Sequence, residues 1–136
     1  MGRILAVDFG LKRTGIAVTD PLKIIANPLD TVETHQLMSY LQQYFQKEPV
    51  ECLVIGDPKN LDNTPAQISG AVHQFTLAFQ EKFPGIPVKK VDERFTSKIA
   101  QQTILAAGKN KKARRDKSLV DKISAVIILQ SYLETL

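Results

Sequence analysis

The sequence predicts an α/β fold: a five-stranded mixed sheet, with three antiparallel strands followed by two parallel additions, flanked by helices. Three observations predict it. The chain opens with short apolar runs joined by tight turns. From about residue 34 onward, helical and strand periodicities alternate. Its 136 residues, 43% of them hydrophobic, match a single domain able to build one continuous core.

Ile4, Leu5, Ala6 and Val7 form an unbroken apolar run stopped by Asp8-Phe9-Gly10, the pattern of a strand buried on both faces. After a turn on Gly10 to Lys12, residues 14–19 read as a second strand ended by Asp20-Pro21. Ile24-Ile25-Ala26, closed by Pro28, reads as a third. Connections this short imply an antiparallel meander. Leu37, Leu41, Tyr44 and Phe45 then fall at helical offsets, so a helix covers about residues 34–47 and breaks at Pro49.

A fourth strand over 52–55 ends in Gly56-Asp57-Pro58. Asn63-Thr64-Pro65 supplies a cap and an N-terminal proline to a second helix, whose apolar face is Ile68, Val72, Phe75 and Phe79. Residues 88–91 form a fifth strand, closed by Asp92-Glu93-Arg94. A third helix starts at Thr96 or Ser97, carries Ile99, Thr103 and Ile104, and stops at Gly108. A last helix is capped by Ser118 and runs to about residue 134. Strands alternating with helices require parallel additions through right-handed crossovers.

Eighteen Lys and Arg against fourteen Asp and Glu give a net charge of +4, which favours polyanionic partners. The distribution is uneven. Lys109, Lys111, Lys112, Arg114, Arg115 and Lys117 crowd into residues 108–117, either as a solvated loop or as a strong local field for phosphates. No apolar run is long enough to span a membrane and no signal-like stretch opens the chain, so a soluble cytoplasmic protein with no membrane partner is expected. The single cysteine, Cys52, sits inside an apolar strand and reads as a core side chain.

Three carboxylates fall where chemistry is expected. Asp8 follows an apolar strand at the carboxyl end, the edge at which open α/β sheets form ligand crevices. A turn-forming Asp is the alternative. Glu93 occupies the comparable place after the fifth strand, where an ion pair with Arg94 is the plain alternative. Asp121 opens a helix that is apolar almost all round and shares a stripe with Ala125, Ile128 and Tyr132, so it should face inward. The helix dipole would favour an Asp there in any case. The small Ser124 and Ala125 would let the helix approach the sheet closely. Carboxylates that converge repel unless protons or cations join them, and an oxygen-only donor set favours Mg²⁺ or Mn²⁺ over zinc. Two such ions about 3.5 to 4 Å apart could activate water and steady the leaving oxygen of a phosphodiester. His35 and His73 read as ordinary helix residues.

These residues carry a resemblance. Residues 4–10 (ILAVDFG), 13–17 (RTGIA), 92–97 (DERFTS), 120–125 (VDKISA) and 127–130 (IILQ) are similar, in order, to the motifs of the YqgF family, the RuvX-like proteins of the ribonuclease H-like superfamily. The match extends from residue 3 to about 133. It implies a ribonuclease H-like fold and a metal-dependent nuclease, a role in maturing the 5′ end of 16S ribosomal RNA, and Asp8, Glu93 and Asp121 as metal ligands. By the same resemblance Arg13 and Arg94 contact or support the nucleic-acid backbone, and Asn60 lies near the site. Two positions depart from the family pattern. Asp57 stands where an apolar residue is usual, and is either a fourth ligand or a turn residue before Pro58. His73 replaces a common arginine.

Rival readings divide on the same features. Asp8-x-Gly10 with Gly15 also resembles the phosphate loop of actin-like ATPases and sugar kinases, which need a second lobe that this length does not supply. A non-catalytic nucleic-acid-binding module would use the basic segment but not the three acids. Holliday junction resolution keeps the chemistry and asks for a homodimer, and the sequence leaves monomer and homodimer open.

Overall fold

The computed structural model describes residues 2–57, 66–92 and 117–136, without the side chains of residues 57, 66, 67, 92 and 117–121. Its strands are β1 (Arg3–Asp8), β2 (Arg13–Thr19), β3 (Ala26–Glu33), β4 (Val50–Asp57) and β5 (Val88–Asp92). A short 3₁₀ turn (Thr34–Gln36) leads into α1 (Leu37–Lys47). The other described helices are α2 (Ala66–Lys82) and α3 (Lys117–Leu133). The strands form one mixed sheet in the order β3-β2-β1-β4-β5. The β1–β2 and β2–β3 pairs are antiparallel; the β1–β4 and β4–β5 pairs are parallel. This is the expected arrangement.

β1 is apolar throughout because both of its faces are covered. Leu5 and Val7 join Ile16, Val18, Leu53 and Ile55 against α1 and α2, where Leu37, Leu41, Val72 and Phe79 are buried. Ile4 and Ala6 point the other way, with Ala17, Cys52 and Val54, against Ala125, Ile128 and Leu129 of α3. The sheet therefore divides the hydrophobic interior in two instead of lining one continuous core. On the α1–α2 side, Phe45, Phe75, Phe79 and Phe83 form a chain of tilted and edge-on ring contacts with centroids 5.0 to 6.0 Å apart.

The third strand is displaced from the sequence expectation. It begins at Ala26 and runs through Pro28 to Glu33, while Ile24 and Ile25 lie outside it and are exposed. The cause is Asp20. Its carboxylate accepts the amides of Leu22, Ile24 and Ile25 at 2.8 to 3.2 Å, which withdraws those groups from strand pairing. Lys23, at φ 61°, completes the turn. Pro28 is tolerated because β3 is an edge strand, and the register shifts beside its partner Ala17. The expected helix over 96–108 lies outside the described residues.

Candidate active site at the carboxyl edge of the sheet

Asp8 is the last residue of β1, half-buried, and Gly15 of β2 is its partner. Strand alternation gives it the parity of Ile4 and Ala6, so it belongs to the α3 face. Arg13 is two positions from Gly15 along β2 and shares that face, with an exposed side chain.

Helix α3 returns towards the same edge. The Cys52 thiol is hydrogen-bonded to the Tyr132 hydroxyl near the end of α3, and Cys52 pairs with Ile4 at the start of β1. From Tyr132 back to Asp121 the helix rises roughly 16 Å at 1.5 Å per residue. From Ile4 to Asp8 the strand advances roughly 13 Å. Position 121, in the second turn of α3, thus comes towards the level of Asp8. Of the expected stripe, Ala125 and Ile128 are fully covered and Tyr132 is partly buried, while the neighbouring Ser124 is 1% exposed. These small residues permit the close approach of α3 to the sheet.

Asp57 ends β4 as the Cα partner of Asp92. Its position has the parity of Leu53 and Ile55, which pack against α1 and α2, whereas Asp8 has the parity of the opposite face. Glu93, Arg94, Asn60, Lys109, Lys111, Lys112, Arg114 and Arg115 lie outside the described residues. Among the described residues no group of three His, Cys, Asp or Glu side chains could hold a metal ion. Asp8 is the described member of the expected set, and its carboxylate oxygens are the hard donors that divalent ions such as Mg²⁺ take. His35 and His73 are exposed, and Cys52 is buried, with burial pushing its thiol pKa up.

Sequence reasoning missed the brace beneath this edge. The Thr34 hydroxyl donates to the Gly10 carbonyl at 2.6 Å. With that proton committed, Thr14 donates to Thr34 at 3.0 Å. The Thr34 amide donates to the Lys12 carbonyl at 2.9 Å. Bonds spanning 20 and more residues leave no trace in local periodicity; the only signal was a Thr at the start of a helix.

The sequence matches the family model RuvX, described as Holliday junction resolvase, over residues 2–135. A protein of Christiangramia forsetii is 53% identical over 133 residues, covering 98% of each chain, and one of Porphyromonas gingivalis is 54% identical over 134 residues, covering 98% of this chain and 97% of its own. Both carry the name "Putative pre-16S rRNA nuclease". Among solved structures, Thermus thermophilus RuvC in complex with a Holliday junction substrate aligns with a TM-score of 0.60 at 16% identity, covering 99% of this chain and 96% of that one. A further Thermus thermophilus RuvC structure aligns at 0.57. At these identities the likeness shows a shared fold, which is ribonuclease H-like. With a family model matched over almost its whole length and relatives at half identity, the chain belongs to the RuvX family.

Proposed function

We propose that the protein is a cytoplasmic nuclease that hydrolyses phosphodiester bonds of the 16S ribosomal RNA precursor at its 5′ end. The observation that carries this reading is Asp8: a half-buried carboxylate at the carboxyl end of the central strand, on the face towards which the start of α3 returns. The relatives at half identity, named for pre-16S rRNA, favour the substrate.

Asp8, with Glu93 and Asp121, would hold a divalent ion, Mg²⁺ or Mn²⁺ and by the two-ion precedent a pair, which when bound supplies Lewis acidity at the scissile phosphate. The remaining work belongs to the chain. Arg13, exposed on the Asp8 face, steadies a flanking phosphate, as would the cations of residues 109–115. Water adds to phosphorus, the bond to the 3′ oxygen breaks, and the departing oxygen takes up a proton. On this reading Asp57 serves the turn before Pro58, since its position has the parity of the other face.

The test is cleavage of pre-16S RNA and of a four-way DNA junction by purified protein in Mg²⁺ or Mn²⁺. Asp8→Asn and Asp121→Asn should each lower RNA cleavage more than about 100-fold, beyond the usual loss on removing a group that merely supports a ligand. Wild-type rates in both variants would refute the site. Cleavage confined to the junction, by a homodimer in sizing experiments, would move the substrate to DNA.

A further inference from the structure

Beside the Asp8 edge lies an open groove of about 510 Å³ lined by Leu11, Lys12, Arg13, Glu33 and His35. Its floor is fixed. Arg13 and Glu33 are paired across β2 and β3, and Thr34 ties the turn to the start of the α1 segment through Gly10, Lys12 and Thr14. The groove also reaches, through Arg13, the strand that pairs with Asp8. Arg13 is two residues beyond the rung that holds Asp8, roughly 7 Å along the strand, and on the same face.

The lining has a chemical character that the cleavage reaction does not itself require. Lys12 and Arg13 bring two basic side chains to a braced turn. Leu11 is 48% exposed at the rim, an apolar surface suited to a sugar or base. The single acid, Glu33, lies 3.4 Å from the His35 Nε2 atom. Cations for phosphates, an apolar rim and a backbone needing little ordering fit an extended phosphodiester strand.

We propose that this groove is a binding subsite for the single nucleic-acid strand flanking the cleaved bond, in which Lys12 engages a phosphate and Glu33 limits affinity. The inference rests on the nuclease reading, which supplies both the nucleic-acid ligand and the cleaved bond that the strand would flank. It is tested without cleavage, by fluorescence anisotropy of labelled twelve-nucleotide single strands, RNA and DNA of one sequence, in EDTA.

Lys12→Gln should weaken binding about 3- to 10-fold and flatten the dependence of log affinity on log salt by about 0.7, the loss of one contact to a single strand. Glu33→Gln should tighten binding about 2- to 5-fold. Thr34→Val should weaken it, and Thr34→Ser, which keeps the hydroxyl, should restore it; a residue of purely steric importance would not show that rescue. The strand that responds identifies the sugar recognised, and equal responses identify the phosphate backbone alone. Wild-type affinity and salt slope in both Lys12→Gln and Glu33→Gln, or no binding of either strand by the wild-type protein, would overturn the subsite. Because metal and cleavage are absent, the first of these results would leave the Asp8 site standing. Conversely, a protein that binds through the groove but cuts nothing would refute the nuclease alone.

Discussion

Gly10 sits where the chain leaves β1 and turns back, and a side chain there would collide with the carbonyl oxygen of Arg13. The neighbour is backbone, and the residues on either side of it, Lys12 and Thr14, are hydrogen-bonded to Thr34, so it cannot step aside cheaply. Gly10→Ala should cost about 1–3 kcal/mol in urea unfolding and should also lower nucleic-acid affinity, since the turn that moves carries Lys12 and Arg13. An unchanged midpoint would mean that the turn yields freely. Tyr40 makes a second residue-scale prediction. Burial, with the nearby Asp30 carboxylate adding to it, pushes the phenol up to about 12 from an ordinary value of 10.0. A raised folded value favours the neutral phenol, so its contribution is whole below pH 10 and is lost as pH rises through about 12. Urea midpoints should fall across that window in the wild type and fall less in Tyr40→Phe. Parallel curves would show that Tyr40 does not drive the alkaline loss. Gly10 was legible in the sequence as a turn residue, but its partner was not: the Thr34 bond crosses 24 positions, and spacing carries no information about it.

At the scale of elements, α3 shows why periodicity served well in some places and failed in others. Its apolar stripe was readable because Ala125, Ile128 and Leu129 recur at helical offsets, and all three are buried against the sheet. β1 and β4 were readable for a related reason, since a strand covered on both faces has no polar alternation to obscure it. β3 was misread because Ile24 and Ile25 have strand-like side chains, while Asp20 takes their amides. A local hydrogen bond from a side chain outweighed propensity. The close seat of α3 is open to test. Ala125→Leu should overpack the contact and cost about 1–3 kcal/mol. Ser124→Ala should be neutral or stabilising by up to about 1 kcal/mol, because the Ser124 hydroxyl is buried with no partner among the described residues. Opposite signs in urea denaturation would identify packing as the cause; a large loss in Ser124→Ala would reveal a bond that the hydroxyl makes.

For the molecule as a whole, stability and catalysis are expected to pull against each other at the carboxyl edge of the sheet. Folding brings Asp8 there on β1 and turns the start of α3 back towards it, with α3 itself held down by Ala125, Ile128 and Leu129. If Glu93 and Asp121 join Asp8, as the family motif implies, the fold gathers like charges that disfavour one another in the absence of a cation. Removing one charge should then relieve the fold while destroying the ion site. Asp8→Asn is expected to melt at or above the wild-type temperature in EDTA. Added Mg²⁺ should raise the wild-type melting temperature, since an ion at 100 times its dissociation constant stabilises by about 2.7 kcal/mol, which for a domain of this size is on the order of 5–15 °C. Asp8→Asn should show little of that rise, so the two melting curves exchange order as Mg²⁺ is added. A rise shared equally by wild type and variant would place the ion elsewhere. A variant that melts far below the wild type in EDTA would show Asp8 to be a structural turn residue, and the choice between turn and ligand at the end of β1 would fall to the turn.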